Sequence, residues 1–244
     1  MEKKANIAEI FYSLQGEGPE CGTPYVFVRF TGCNICCRYC DTVWANIPAG
    51  SARIIMPGTE TAVQIPNPIT ERDFLKIVSQ FDTKRMCFTG GEPMLHSEFI
   101  ESIMGRLDGV RLLMETNGTL AERITDRLVE RIEVWSVDIK LPSVSGESVV
   151  EMNRQFLLRL KDAKQTVIKA VFSDYTPSSE LQTAYEIAKE YFSFNKNITL
   201  VFQPVSGESG IHLGENYREV FDILTGCPFE ARLLPQVHKV LKIL

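Results

Sequence analysis

Six short runs of apolar and β-branched residues alternate with segments of helical periodicity along most of the chain. Each run has the length of one buried strand and each segment that of one helix, so the pattern predicts parallel strands joined by helical crossovers. The predicted strands are Tyr25–Phe30, Arg85–Thr89, Val110–Glu115, Glu133–Ile139, Thr166–Phe172 and Ile198–Gln203. The predicted helices are Glu71–Phe81 with Thr70 as its N-cap, Ser97–Leu107, Glu122–Ile132, Glu147–Leu160, Ser178–Phe192 and Glu215–Leu224. Since a closed barrel of this kind has eight units, six predict a partial (β/α)6 barrel of the α/β class, with an open doubly wound sheet as the alternative.

The rest of the sequence indicates a single domain over residues 1–244. The stretch from about residue 44 to residue 68 is rich in Pro, Gly, Ala and Thr and has no clear period. We interpret it as an inserted loop or hairpin within that domain and not as a domain boundary.

Composition limits the classes of partner that the chain is expected to have. Its 44% hydrophobic and 23% charged residues are ordinary for a soluble globular protein. The net charge is −5 and no dense run of Lys and Arg occurs, so nucleic acid is not expected as the main partner. No apolar signal region follows Met1, and no stretch approaches the ~20 apolar residues of a membrane span. A cytoplasmic location without a membrane partner is therefore the expectation.

Four of the seven cysteines lie within the eight residues Cys33–Cys40. Cys33, Cys37 and Cys40 have the spacing C-x3-C-x2-C, and three thiolates on one short loop can hold three corners of a cubane iron–sulfur cluster. Proteins that use such clusters only to carry electrons supply four ligands, so three cysteines indicate chemistry at the open iron. The residues alone leave open whether Cys36 or Cys37 is the middle ligand.

Other interpretations of the cysteines explain less of the pattern. Structural zinc sites separate their two cysteine pairs by about a dozen residues or more, whereas the two pairs here abut. A thioredoxin-like redox pair needs only one C-x2-C and leaves the other cysteines unexplained. Disulfide frameworks are typical of short secreted chains. The cluster hypothesis is therefore the strongest.

Polar segments follow the ends of four further predicted strands. They are Thr89–Pro93, Glu115–Gly118, Ser136–Lys140 and Gln203–Ser206. Ligands of parallel β/α folds bind at the carboxyl ends of the strands, so these segments and the cysteine loop are predicted to form one site. Gly90 and Gly91 would let the backbone come close to a ligand. Asp138 and Lys140 lie on one side of their strand and can form an ion pair.

Arg29 is a charged residue within an otherwise apolar predicted strand. A buried guanidinium without a partner is costly. It therefore requires either an internal acidic residue or a substrate carboxylate that it grips in bidentate fashion. The sequence leaves both possibilities open.

The cysteine loop, with Tyr39 before its last cysteine, and the segment Gly90-Gly91-Glu92-Pro93 together resemble the radical S-adenosylmethionine superfamily. The resemblance covers nearly the full chain and selects Cys33, Cys37 and Cys40 as the ligands of a 4Fe-4S cluster. It implies that the open iron binds S-adenosylmethionine, which is then cleaved to methionine and a 5′-deoxyadenosyl radical. Because the cofactors carry the difficult chemistry, no catalytic protein residue is expected.

Three further segments are similar to the 7-carboxy-7-deazaguanine synthase family: Gln15–Gly18, Cys40–Thr42 and Gln236–Lys239. The resemblance implies that Thr42 is a ligand of Mg2+. It implies that S-adenosylmethionine is bound by Tyr39, Asp41, Gly91, Glu92, Glu115, Asn117, Ser136, Asp138, Lys140, Gln203, Pro204, Val205 and Ser206. It implies that the substrate is bound by Leu14, Gln15, Gly16, Arg29, Thr89, His238 and the carboxylate of Leu244.

The activity implied by this resemblance is that of a lyase in 7-deazapurine (queuosine) biosynthesis. Such an enzyme converts 6-carboxy-5,6,7,8-tetrahydropterin to 7-carboxy-7-deazaguanine with loss of ammonia. The resemblance also implies a small-molecule pterin substrate, a homodimer, and an electron donor such as flavodoxin or ferredoxin. The segment Asp138–Ser143 and the predicted helix after it also resemble glycyl-radical activating enzymes. The alternative function is therefore an activase that acts on a protein partner.

Overall fold

The computed structural model describes residues 2–56, 58–59, 61–82, 84–207, 210–211 and 213–243. The strands are β1 Lys4–Ala5, β2 Ile7–Leu14, β3 Pro24–Phe30, β4 Ser51–Ile55, β5 Ala62–Pro66, β6 Ile69–Thr70, β7 Arg85–Gly90, β8 Arg111–Thr116, β9 Val134–Ile139, β10 Thr166–Phe172, β11 Ile198–Pro204, β12 Ser206–Gly207, β13 Gly210–Ile211 and β14 Glu230–Leu233. The helices are α1 Glu71–Val78, α2 Ser97–Met104, α3 Asp126–Arg131, α4 Pro142–Ser145, α5 Val150–Arg159, α6 Ser178–Phe194, α7 Asn216–Gly226 and α8 Val237–Leu241. Short 3₁₀ turns occur at Val43–Asn46, Pro93–His96 and Ala121–Arg123.

The main sheet of the described chain has the strand order β14-β11-β10-β9-β8-β7-β3-β2-β4-β5. The six strands predicted from the sequence are β3, β7, β8, β9, β10 and β11, and each end lies within one residue of its predicted position. They are neighbours and run parallel, and β14 adds a further parallel strand beside β11. A parallel sheet with helices in its crossovers is the α/β partial-barrel architecture that the alternating pattern predicts.

The other edge of the sheet was not predicted from the sequence. Strand β2 pairs antiparallel with β3 and parallel with β4, and β5 completes the sheet as the antiparallel partner of β4. The stretch from about residue 44 to residue 68 therefore contributes a hairpin to the main sheet. Strand β14 was also missed, because its four residues Glu230–Leu233 alternate between exposed and half-buried positions and form no apolar run.

Two of the predicted helices begin later than expected, for local reasons. Thr125 has an extended backbone and its Oγ1 accepts a hydrogen bond from the Leu128 amide at 3.2 Å, so α3 begins after it. Gly146 has a φ of 78°, a left-handed conformation that ends α4 and delays α5 to Val150. The N-cap predicted at Thr70 is confirmed by a 3.1 Å bond from the Asp73 amide. Within the described ranges, no helix is long and apolar enough to cross a membrane.

The two faces of the sheet are buried differently. One face packs against the helices in a large apolar core, and strands β10 and β11 are buried along their whole length. The opposite, inner face carries a small apolar layer formed by Phe11, Phe27, Cys87, Leu113, Val134, Val167 and Val201, among others. Side chains alternate along a strand, so the next inward positions are Arg29, Thr89, Glu115, Ser136, Lys169 and Gln203. The strands thus carry a polar layer immediately beyond the inner apolar one.

Candidate active site

A cavity of about 240 Å³ opens at the carboxyl ends of the parallel strands and borders the inner apolar layer at Phe11 and Phe27. Most of the residues predicted for the site surround it. They are Leu14, Gln15, Gly16, Arg29, Cys33, Cys37, Tyr39, Cys40, Asp41, Thr42, Thr89, Gly91, Glu115, Asn117, Asp138, Lys140, Gln203, Val205, Ser206 and His238. The segments that follow the strands therefore meet at one cavity.

Ser136, Pro204 and Glu92 were also predicted for the site but do not line this cavity. Ser136 is half-buried on β9, two residues before Asp138. Pro204 is buried within β11. Leu244 lies outside the described residues.

Glu92 holds two of the segments around the cavity together. Its side chain is fully buried and accepts hydrogen bonds from the Met94 amide at 3.0 Å, Thr116 Oγ1 at 2.7 Å and the Asn117 amide at 2.7 Å. Burial raises the pKa of Glu92 to about 7, although these hydrogen bonds act in the opposite direction. Glu92 therefore joins the turn after β7 to the end of β8.

The cysteine loop faces the cavity through three of its four thiols. Cys33, Cys37 and Cys40 line the cavity, whereas Cys36 is exposed and does not. All four are free thiols, and burial raises the pKa of Cys37 to about 11 although Lys140 lowers it. Among the described residues, no three His, Cys, Asp or Glu side chains converge closely enough to hold a single metal ion.

The donor set nonetheless fits an iron–sulfur cluster with one open iron. Each of the three cavity-facing thiols would bind a different iron, so the three sulfurs do not need to meet at one point. Asn117 Nδ2 lies 3.7 Å from Cys33 Sγ and can donate a hydrogen bond to that sulfur. Deprotonation of the thiols would accompany cluster binding.

Three buried polar atoms around the cavity have neither a hydrogen-bond partner nor an ion-pair partner among the described residues. They are Asn46 Oδ1, Gln203 Oε1 and Ser206 Oγ, and all three residues line the cavity. Buried polar atoms are nearly always bonded in folded proteins. A polar ligand in the cavity would supply the missing partners, so these atoms favour a ligand with several donors and acceptors.

Gly90 and Gly91 are required by contacts within the chain itself. A Cβ on Gly90 would lie 2.4 Å from the Phe30 carbonyl oxygen, and one on Gly91 would lie 1.9 Å from that of Gly32. Gly90 also has a φ of +134°, a value that residues with a side chain rarely adopt. The glycines therefore let the turn after β7 pack directly on the end of β3, and Gly91 still lines the cavity.

Arg29 has an internal partner and also faces the cavity. Its Nε lies 2.9 Å from Glu9 Oε1, and the guanidinium lies over the Phe11 ring with 5.6 Å from Cζ to the ring centre. The ion pair predicted as one possibility is present. Because the bond to Glu9 uses only Nε, the remaining guanidinium nitrogens are available to a second carboxylate in the cavity.

The ion pair predicted between Asp138 and Lys140 is present, but the buried network that extends it to Lys169 and Glu17 was missed at the sequence level. Lys169 Nζ contacts the carboxylate of Glu17 and lies 2.9 Å from Asp138 Oδ1, while Lys140 Nζ lies 2.7 Å from Asp138 Oδ2. Lys169 occurs in the apolar run Thr166–Phe172. The reasoning applied to Arg29 would have identified it as a residue that needs acidic partners.

The C-terminal helix α8 packs against the loop that follows β2. The Val237 amide donates to the Gly16 carbonyl at 2.9 Å, and a Cβ on Gly16 would lie only 2.0 Å from His238 Nδ1. Lys239 Nζ lies 2.7 Å from Asp41 Oδ2, next to the last cysteine of the loop. The C-terminal segment therefore contacts both the Gln15–Glu17 loop and the cysteine loop.

Comparison with known proteins identifies the class of protein to which this fold and this cysteine loop belong. The model of the Radical SAM superfamily matches residues 27–171. The crystal structure of QueE from Escherichia coli has the same fold, with a TM-score of 0.60 at 19% identity, covering 96% of this chain and 94% of that chain.

Curated relatives narrow the class. The 7-carboxy-7-deazaguanine synthase of Thermoplasma acidophilum is 32% identical, over 96% of this chain and 96% of that protein. The synthase of Methanothermobacter thermautotrophicus is 36% identical, over 98% and 97%, and that of Geobacter sulfurreducens 31% identical, over 96% of both. The chain belongs to the radical S-adenosylmethionine superfamily and, within it, to the 7-carboxy-7-deazaguanine synthase family. Membership of the superfamily implies a 4Fe-4S cluster and S-adenosylmethionine as cofactors.

Proposed function

We propose that the chain converts 6-carboxy-5,6,7,8-tetrahydropterin to 7-carboxy-7-deazaguanine with release of ammonia. The observation that carries the proposal is that the three cysteines and the residues Gln15, Gly16, Arg29 and His238 open into the same cavity. A cofactor beside the cysteines and a small substrate beside Arg29 would then share one enclosed space. The similarity to synthases over nearly their whole length supports this function over that of an activase.

The residues on the cysteine side of the cavity would hold the cofactors. Cys33, Cys37 and Cys40 would hold the 4Fe-4S cluster, which would supply the one-electron reduction needed for cleavage of S-adenosylmethionine. Gln203 Oε1 and Ser206 Oγ offer S-adenosylmethionine the polar atoms that lack partners within the described chain.

The residues on the opposite side would hold and enclose the substrate. Arg29 would bind the carboxylate of the pterin through the nitrogens that Glu9 leaves available. The ring of His238 rests on Gly16, and the ion pair between Lys239 and Asp41 connects the C-terminal segment to the cysteine loop. This arrangement would limit the access of water to the reacting groups.

We further propose that Thr42 is a ligand of Mg2+. Thr42 lines the cavity, and its Oγ1 lies 3.8 Å from Cys40 Sγ. Mg2+ takes oxygen ligands and retains several waters, so one protein hydroxyl and a substrate carboxylate would suffice. The same proposal includes the individual cofactor and substrate contacts predicted from the sequence. It also includes a flavodoxin or ferredoxin as electron donor, a homodimer, a cytoplasmic location and one catalytic domain.

An anaerobic assay tests the proposed function. Reconstituted protein is incubated with S-adenosylmethionine, Mg2+, reductant and 6-carboxytetrahydropterin, and the products are identified by mass spectrometry. We expect 7-carboxy-7-deazaguanine from the wild type. Formation of 5′-deoxyadenosine alone would reject this substrate and direct the search to a protein partner. If protein with an intact cluster formed neither product, the proposed function would be overturned.

A further inference from the structure

Four charged side chains of alternating sign form a continuous chain across the cavity. Their order is Glu17, Lys169, Asp138 and Lys140, and each contacts the next. Lys169 contacts a carboxylate on either side, and only 7% of its side chain is exposed. Lys169 is therefore the one member of this chain of four that joins both carboxylates.

The two ends of this chain lie on different sides of the cavity. At one end, Glu17 Oε1 accepts a hydrogen bond from Gln236 Nε2 at 2.7 Å, which connects it to the C-terminal segment. The Glu17 amide also donates to Gln15 Oε1 at 3.1 Å. At the other end, Lys140 Nζ donates to the hydroxyl of Tyr39 in the cysteine loop at 3.2 Å. The ammonium of Lys169 thus links the side predicted to bind substrate to the side predicted to bind S-adenosylmethionine.

The strand register fixes the position of this ammonium. Lys169 on β10 is paired with Asp138 on the adjacent parallel strand β9, so both side chains project from the same level of the sheet. Glu17 lies 152 residues earlier in the chain and reaches Lys169 from the loop after β2. Burial alone would raise the pKa of Glu17, but the adjacent Lys169 lowers it to about 2, so this carboxylate stays ionised. Removal of the ammonium would leave two buried carboxylates without their shared partner.

We propose that Lys169 is a positioning residue that couples the two sides of the cavity. Its ammonium holds the Glu17 and Asp138 carboxylates in the one arrangement in which the Gln15–Glu17 loop and Lys140 are both correctly placed. Neither ligand needs to touch Lys169 for this role. The inference rests on the proposed function, because that function requires cofactor and substrate to occupy the two sides together.

Ligand binding to the wild type and to two variants of Lys169 tests the coupling. The dissociation constant of S-adenosylmethionine is measured by anaerobic calorimetry on reconstituted protein, with and without 6-carboxytetrahydropterin. In the wild type we expect each ligand to tighten the other about 5-fold or more. In Lys169→Met this factor should fall to one and both affinities should drop. Lys169→Arg, which keeps the charge, should retain part of the coupling.

Chemical rescue separates the charge from the space that the side chain fills. Lys169→Ala lacks a propylammonium group, so added n-propylammonium should restore binding and coupling, whereas n-propanol of similar size should not. Lys164→Met is the matched control. Lys164 precedes the same strand and is half exposed, and its one salt bridge within the described part of the chain is with Glu133, at 3.7 Å. It should behave like the wild type.

A second readout does not depend on the cofactors or the substrate. The unfolding midpoint of the full chain without a cluster is compared between wild type and Lys169→Met from pH 7 to pH 3. In the wild type, the stabilisation from ionised Glu17 is present above its unfolded pKa and is lost as pH falls towards its folded pKa. Without the ammonium, buried Glu17 favours the protonated form, so the difference between the two proteins should be largest at pH 7 and shrink at acid pH. The other titratable groups that face Glu17 or Lys169 are common to both proteins: His238, Cys21, Cys87, Asp138 and Glu115.

The outcomes distinguish this proposal from the proposed function. If Lys169→Met kept the wild-type coupling, or if propanol rescued Lys169→Ala as well as propylammonium, the positioning role would be overturned. If the wild type did not bind the pterin, the proposed function would fail. The pH-dependent stability difference and the affinity for S-adenosylmethionine would then still report on the ammonium of Lys169. A stability difference between wild type and Lys169→Met that stayed constant from pH 7 to pH 3 would also overturn the positioning role.

Discussion

The two sides of the cavity are built in different ways. The cysteine side comprises the loop Cys33–Cys40 and the Gly90-Gly91 turn, which are short segments at strand ends joined by backbone contacts. The tail side comprises the Gln15–Glu17 loop, Lys169 and the segment Gln236–Lys239, which are distant in sequence. They are joined by side-chain contacts and by one backbone hydrogen bond, from the Val237 amide to the Gly16 carbonyl. The geometry of the cysteine side therefore depends on local motifs, while that of the tail side depends on the buried ion pair between Glu17 and Lys169.

This difference predicts different consequences of mutation. A change on the cysteine side should remove a cofactor and leave the fold largely intact, because the thiols are not required for backbone pairing. A change on the tail side should affect stability and binding together, since buried ion pairs have no replacement partners.

The largest effect is expected from Cys37→Ala, which removes one of the three cavity-facing thiols. The variant should lose the 4Fe-4S cluster and all product formation while it remains folded. Iron and acid-labile sulfide analysis after reconstitution, together with circular dichroism, measures both properties. Cys36→Ala is the matched control, because Cys36 is adjacent in sequence but exposed and outside the cavity. Loss of the cluster in Cys36→Ala and its retention in Cys37→Ala would reverse the ligand assignment.

The next largest effect is expected from Glu17→Gln on the tail side. Breaking a buried ion pair costs about 3–5 kcal/mol, and we expect the lower end because Lys169 keeps its contact with Asp138. Urea unfolding at pH 7 and at pH 3 measures the free energy of unfolding. The wild-type pKa of Glu17 is about 2, against about 4.3 for an unfolded Glu, so the stabilisation is present at pH 7 and partly lost at pH 3.

The control for this prediction is an exposed pair on helix α6. Glu186 lies 3.8 Å from Lys189 and is half exposed, so Glu186→Gln should change the free energy of unfolding by no more than about 0.5 kcal/mol. A cost for Glu17→Gln no larger than that of this control would show that the buried network does not stabilise the fold.

A smaller effect is expected from Gly16→Ala, which tests the packing of the C-terminal segment. The new Cβ would lie 2.0 Å from His238 Nδ1, so the His238 ring and helix α8 must move. Such overpacking costs about 1–3 kcal/mol, and trypsin should cut at Lys239 faster than in the wild type.

Gly105→Ala provides the comparison for this substitution. Gly105 has a φ of −70°. Apart from Gly105, its chain neighbours and its own helix, no described residue has a heavy atom within 4 Å of the position that an alanine methyl group would take. The substitution should therefore be neutral or slightly stabilising. Wild-type stability and wild-type protease resistance in Gly16→Ala would mean that the C-terminal segment does not rest on Gly16.

The sequence predicts the cysteine side better than the tail side, for a physical reason. The six parallel strands form continuous apolar runs because both of their faces are covered, and the cysteine spacing is local. Glu17 and Lys169, by contrast, are separated by 152 residues, and neither position indicates its partner. The antiparallel edge was missed because β2 carries Glu9, whose partner Arg29 is known only once the two strands are paired. Likewise, unpartnered atoms such as Gln203 Oε1 become visible only when the surrounding contacts are known.

The smallest effect is expected from Lys239→Met. This substitution removes the ion pair with Asp41, through which the tail side contacts the cysteine side. Lys239 lies 2.7 Å from Asp41, but the two side chains are 32% and 52% exposed, so water screens the pair and its removal should cost about 0–1 kcal/mol. The same pair is the contact between the C-terminal segment and the cysteine loop, so the substrate KM should rise more than kcat falls. Raising the salt concentration should raise the substrate KM of the wild type towards that of the variant, because salt screens exposed ion pairs. A stability cost as large as that of Glu17→Gln would place this pair among the buried charges and remove the distinction between the two sides.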